Sequence, residues 1–385
     1  MTSLEERFFW ASFHGDLPLL RCLVTTEGPA IDPNWSLGGF TSLYAACEAG
    51  HPPVVDFLLE TFPEIDVNRP SQQGTSPLAV ACHYGHEEIV VKLLTRPDLG
   101  VNSKSVMHLS PLYCACQEGR FGVVRHLLAD PRVDVNNVTD DLWTPFHIAC
   151  CRGNADVVAL MMADPRVEVT KVNENRATAL YMACQNGHDS VVALLLDDPR
   201  TEVNREKFDN CTPLYHAAQN GHLPVVQRLL ASDCLIDTQK RCVTDDPEEN
   251  NKTAAEWVGY LVVSPRPAYM TEDTHERVVT CGNALASLLD SYDRNPTEVR
   301  FRVRRLPHLR GMLVPPSSAL PLLALIPSLR SRFPRPSDRK DFCPGGVPLG
   351  QLHNFSTGRG LLRSHSLVAK CPGPEVFHDC LPAAS

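Results

Sequence analysis

The sequence predicts an all-α fold, an elongated solenoid of short stacked helix pairs, and three observations predict it. Glycine recurs at Gly15, Gly50, Gly85, Gly119, Gly153, Gly187 and Gly221, at spacings of 35, 35, 34, 34, 34 and 34. Cysteine recurs at Cys47, Cys82, Cys116, Cys150 and Cys184, three residues before the glycine of its unit. Around each glycine the same pattern returns, as in Thr212-Pro213-Leu214-Tyr215-His216-Ala217-Ala218-Gln219-Asn220-Gly221-His222, with Thr178 to His188 as the copy before it. A fixed period of this length means one supersecondary unit repeated, and a unit so small buries its apolar face only against neighbours.

Each part of the unit has a physical role. Thr144 or Thr212 caps a helix whose first turn holds Pro145 or Pro213, where a missing N–H is no loss. A small pair such as Ala183-Cys184 lets adjacent helices approach closely. The glycine ends the first helix in a left-handed conformation that a Cβ resists. An apolar run such as Val191-Val192-Ala193-Leu194-Leu195-Leu196 forms the second helix, which Pro165 or Pro199 stops. A turn such as Asp130-Pro131-Arg132 and a pair such as Val135-Asn136 then lead into the next unit.

These units resemble ankyrin repeats, whose mark is Thr-Pro-Leu-His-x-Ala followed by Gly-His and an apolar run. The resemblance covers residues 3–243 as seven units, and it implies helix–turn–helix units joined by β-hairpin fingers in a curved solenoid. There are departures. Tyr44, Tyr113, Tyr181 and Tyr215 replace the usual His, which loses a Thr–imidazole hydrogen bond. The glycine usual before the first helix stands at Gly39 and Gly74 but is His108, Leu142, Arg176 and Asn210 elsewhere.

The ends of a solenoid must turn a polar face to water, so atypical units are expected there. Residues 244–306 read as a degenerate capping repeat beginning at Thr253 and a terminal helix opened by Asn295-Pro296-Thr297-Glu298. From Pro307 to residue 385 the composition is rich in Pro, Arg, Ser and Gly, which predicts a disordered tail. Within it, residues 311–329 are free of charge, but Pro315, Pro316, Pro321 and Pro327 argue against a membrane-spanning helix. Met1–Arg7 is polar and acidic, and no secretory signal is read there.

Charge is divided along the chain. Residues 1–299 carry 23 Lys+Arg against 41 Asp+Glu, and residues 300–385 carry 13 against 4. An acidic array lacks the clustered cations that displace counterions from nucleic acid, so no nucleic-acid partner is expected for it. The repeated cysteines read as buried packing positions rather than a disulfide framework, which places the chain in a reducing compartment, the cytoplasm or the nucleus. No His/Cys set stands at local zinc-site spacing, so neither metal nor cofactor is expected, and the fold should be indifferent to chelators.

Catalytic signatures are missing: there is no Gly-rich phosphate loop, no H-E-x-x-H, no G-x-S-x-G and no kinase set. His51, His86, His188 and His222 share the slot after the glycine and read as structural. The expectation is therefore a monomeric, non-enzymatic scaffold for a protein partner, one carrying a basic segment given the acidic array. Ankyrin-like proteins use finger tips and the concave face of the first helices. Here the concave positions are His83, Tyr84, Gln117, Glu118, Arg152, Gln185, Asn186, Gln219 and Asn220, and the finger tips offer Met107, Leu109, Asp140, Asp141, Trp143 and Phe208. Trp143 and Tyr84 are expected to anchor the partner without contributing to the melt. A substrate-recognition subunit of a ubiquitin ligase is the rival reading, resting on a loose Leu/Pro/Arg-rich similarity of the tail to a ligase-docking box.

Overall fold

The computed structural model describes residues 3–243 and 250–309. The reading of the tail beyond residue 309, including 311–329, lies outside the described residues. Helices come in pairs: α1 (Leu4–Phe13) with α2 (Leu17–Glu27), α3 (Ser42–Ala49) with α4 (Pro52–Thr61), α5 (Pro77–Tyr84) with α6 (Glu87–Leu94), and α7 (Pro111–Gln117) with α8 (Phe121–Ala129). The series continues through α9 (Pro145–Arg152) and α10 (Ala155–Met162), α11 (Ala179–Asn186) and α12 (Asp189–Leu196), and α13 (Pro213–Gln219) and α14 (Leu223–Ala231). First helices stack on first helices and second on second, so the core is one continuous seam. After it come α15 (Ala254–Val263), α16 (Glu272–Arg294) and α17 (Pro296–Val303), with α15 against α13 and both α16 and α17 against α14.

Local chemistry sets each unit. The hydroxyls of Thr41, Ser76, Ser110, Thr144, Thr178 and Thr212 accept the N–H three residues on and so cap α3, α5, α7, α9, α11 and α13. Gly50, Gly85, Gly153 and Gly187 end α3, α5, α9 and α11 with positive φ. A Cβ at Gly50 would lie 2.4 Å from the His86 ring, because the residue after each glycine arches back over the preceding unit. There Nε2 of His51, His86, His188 and His222 meets the main-chain carbonyl of Phe13, Glu48, Cys151 and Gln185 at 2.7–3.0 Å. Arg120 and Asn154 donate to His83 and Cys116 from the same slot. The histidines of this slot join units.

Two further ladders bind neighbours. The Asn of the Val-Asn pair brackets the next unit: Asn102 donates to the Arg132 carbonyl at 2.8 Å and accepts the Asp134 N–H at 2.8 Å. Asn34, Asn68, Asn136 and Asn204 repeat this, and the slot is Thr at 170. In the Asp-Pro-Arg turns, Arg132 and Arg166 grip Asp130 and Asp164 and donate to the Leu94 and Leu128 carbonyls of the unit before.

The first finger is a true hairpin, β1 (Ser36–Leu37) on β2 (Phe40–Thr41). Later fingers are tight turns closed by backbone bonds such as Ser105 N–H to the Leu109 carbonyl at 3.1 Å and Thr139 N–H to the Trp143 carbonyl at 3.1 Å. Finger shape survives the loss of glycine: His108, Leu142, Arg176 and Asn210 take φ of 57°, 59°, 62° and 56°, beside 71° at Gly74. Residues with a Cβ enter this region at about 1–2 kcal/mol. Leu142 is exposed, so its side chain adds little burial in return. Leu142→Gly is expected to raise stability by about 0.5–1 kcal/mol, part of the relief being offset by the entropy of glycine in the unfolded chain, while β-branched Leu142→Ile lowers it. Urea titration of the three proteins checks both signs.

One expectation is corrected at the C-terminal end. The packed body does not stop at Leu306: residues 307–309 form a 3-10 turn and Leu309 is completely buried. Arg304 donates to the Ala231 carbonyl and Arg300 to the Cys234 carbonyl, so α17 seals the end of α14 and carries the chain on to this contact. Among the described residues, disulfide bonding is confined to positions outside the repeat slot. The repeat-slot thiols Cys47, Cys82, Cys116, Cys150 and Cys184 are free and buried, but Cys211 and Cys242 are bonded. Neither belongs to the repeat slot; they stand one unit apart, where the last finger meets the segment leading to α15.

Candidate functional site

The concave stripe is built by the last turns of the first helices. Tyr84, Glu118, Arg152, Asn186 and Asn220 recur every 34 residues and are at least partly open to solvent, with Asn186 the most exposed. The residues just before them differ. His83, Gln117 and Gln219 are buried, and Gln185 is intermediate. The period explains this: one step earlier on the helix turns the side chain toward the next unit. Thus His83 Nδ1 lies 3.8 Å from the Glu118 carboxylate of the next unit, while Gln117 donates to Glu118 at 2.9 Å. Asn220 donates to the Gln185 carbonyl at 3.0 Å, and Asn186 to the Met182 carbonyl at 2.8 Å. The stripe is held rigid by its own backbone. Glu48 stands in the slot of His83 and Gln117, one unit before His83, and burial raises the pKa of its carboxyl.

The finger tips form the second part. Met107, Asp140, Asp141 and Phe208 are expected there as exposed groups or near-exposed ones, and Phe208 is 65% exposed. Leu109 and Trp143 are corrected: both are buried, Trp143 at 6% exposure. They share one slot with Thr75, Ala177 and Cys211, all of them buried. The residue before it is left-handed, and this reverses the chain so that the next side chain points into the stack. Trp143 packs edge-on against the His147 ring at 6.4 Å. It is a core residue.

Sequence reasoning missed the slot that replaces it on the surface. Val106 and Leu142 are exposed beside Met107, Val243 lies exposed at the end of the row, and Arg176 covers the Phe208 ring at 5.7 Å. For Leu142 and Arg176 the signal was the left-handed slot itself, since a side chain at positive φ on a turn points outward. Acids punctuate the row: Asp140, which pairs with His108 at 2.5 Å, then Asp141 and Glu174. Backbone bonds tie successive tips, Val106 N–H to Gln73, Glu174 N–H to Asp141 and Val243 N–H to Asp209, at 2.7–2.9 Å. The result is a fixed edge of apolar side chains among carboxylates.

The buried thiols of the first helices have no activated character. Burial raises the thiols of Cys47, Cys82, Cys116, Cys150 and Cys184 and pushes that of Cys114 up to about 12, the reverse of a catalytic thiolate. Among the described residues no helix is long and apolar enough to cross a membrane.

Comparison with known proteins agrees with this architecture. The sequence profile described as ankyrin repeats (3 copies) matches residues 8–105, 91–171 and 160–242. Among 516 solved chains that match, the crystal structure of the human ASB11 ankyrin repeat domain is 25% identical, with a TM-score of 0.51, over 60% of this chain and 99% of that one. No curated protein sequence matches.

Proposed function

The chain belongs to the ankyrin-repeat family, and from that premise we propose that it is a non-catalytic scaffold that holds a protein partner along its finger edge and concave stripe. The observation that carries this reading is the finger row: Val106, Met107, Leu142 and Phe208 exposed on a hydrogen-bonded edge, interleaved with Asp140, Asp141 and Glu174. Exposed apolar anchors ringed by polar groups suit a protein interface. The carboxylates select a partner segment with Lys or Arg, and they act mainly through encounter rate. Tyr84, Glu118, Arg152, Asn186 and Asn220 then contact the partner along the groove. The protein works as a monomer in the cytoplasm, with the nucleus as the alternative compartment.

Photo-crosslinking amino acids placed at Met107 and Phe208, and at Arg125 and Gln227 on the second helices, test the surface directly. Crosslinks from the first pair to a basic segment of one partner are expected, with none from the second pair. Phe208→Ala should weaken that partner by about tenfold or more. Asp140→Ala with Asp141→Ala should slow association and flatten its salt dependence. Crosslinks from Arg125 and Gln227 alone would move the interface to the opposite side. Recovery of ubiquitin-ligase core subunits with the full chain would favour the substrate-recognition reading over a general scaffold.

A further inference from the structure

Where the seventh finger meets the capping segment, three groups with metal-ligand chemistry converge, and a fourth is joined to one of them. A carboxylate oxygen of Asp209, Sγ of Cys211 and a ring nitrogen of His216 all lie within 4.8 Å of one another. Sγ of Cys242 is bonded to that of Cys211, which brings a fourth donor to the edge of this cluster. Cys211 and Cys242 are buried. Nε2 of His216 is closed off from solvent and has no hydrogen-bond partner, while the Gln219 side chain bonds the ring. A shielded imidazole nitrogen without a partner needs an explanation, because a buried polar atom left alone is unfavourable.

We propose that Cys211, Cys242, His216 and Asp209 form a four-donor zinc site that replaces the Cys211–Cys242 bond when the chain is reduced. Two sulfurs, one imidazole and one carboxylate oxygen are donors of the kind zinc takes in four-coordinate structural sites, and thiolates disfavour magnesium or calcium. The donors are already supported: the Gln219 side chain bonds the His216 ring, and the Cys211 N–H donates to Asp209 at 3.1 Å. Two thiolates and a carboxylate around Zn²⁺ leave one negative charge, and Lys207 at 3.2 Å from Asp209 is placed to balance it. Reduction of the bridge by two equivalents of a small thiol supplies two electrons and two protons and leaves two thiols. Zinc binding then displaces both thiol protons. The absence of local His/Cys spacing, on which no metal was expected, does not bear on donors that the fold gathers from 31 residues apart.

The site would fasten the last finger to the cap, since Val243 N–H already bonds the Asp209 carbonyl at 2.7 Å and the Cys242 main chain pairs with Asn251 and Lys252. This inference is independent of the partner-binding surface. The test uses the full chain kept in phosphine reductant, loaded with zinc and freed of excess, with metal per chain measured by mass spectrometry. One zinc per chain is expected for the parent protein and for Cys184→Ser, and none for Cys242→Ser or His216→Asn. Cobalt titration of the unaltered protein reads the site without any substitution, and a thiolate-to-cobalt charge-transfer band with tetrahedral visible absorption is expected. Failure of the reduced parent to retain zinc, absence of the thiolate band, or zinc retained in both variants would each overturn the proposal.

Discussion

Stability is expected to fall steeply between pH 6.5 and 4, and His147 is the first cause. It alone keeps the imidazole in the slot that Tyr44, Tyr113, Tyr181 and Tyr215 occupy. Its Nδ1 accepts the Thr144 N–H at 3.2 Å and its Nε2 donates to the Lys171 carbonyl at 2.9 Å, so the neutral ring is fully satisfied. A proton on Nδ1 would face a donor inside the core. Burial accordingly lowers its pKa from 6.5 to about 4, and His222 is lowered to about 4 by burial and the nearby Arg277. A folded pKa below the unfolded value means the contribution is complete above pH 6.5 and disappears as the pH falls through 4. For His147 the full loss is about 3 kcal/mol, of which about 2 kcal/mol has gone by pH 5. Urea melts of the parent and of His147→Tyr at pH 7.5 and pH 5 check this. The drop between the two pH values should be smaller in the variant by about 2 kcal/mol, and an equal drop would remove His147 from the account.

Trp143→Ala is expected to destabilise the array by about 3–5 kcal/mol, as large-to-small changes at buried aromatics do. The indole is 6% exposed and rests on His147, so its removal opens a cavity between stacked units and loosens the cap of α9. Phe208→Ala is the contrast. Its ring is 65% exposed and touches the Arg176 guanidinium, so the melt should move by about 0.5 kcal/mol or less while partner capture weakens. Melts of the two variants side by side, with capture scored only under conditions where both are folded, separate anchor from core. A Trp143→Ala protein that melts with the parent would return the indole to the surface.

The sequence by itself determined the unit and its stacking. Gly50, Gly85, Gly153 and Gly187, the capping Thr and Ser residues and the cysteine slots are local or strictly periodic signals, and each records a backbone or packing requirement that recurs in every unit. It also named half of the exposed edge, Met107 and Phe208 with the acids beside them. What it could not decide is which way a side chain faces beside a left-handed residue. Leu109 and Trp143 turn inward and Leu142 turns out because of one φ value each, and periodicity alone does not carry that sign. The meeting of Cys211 with Cys242, beside His216 and Asp209, likewise came only from tertiary structure. The 31-residue separation of the two cysteines matches no local motif, and the contact exists because the segment before α15 folds back on the last finger, where the Val243 N–H bonds the Asp209 carbonyl.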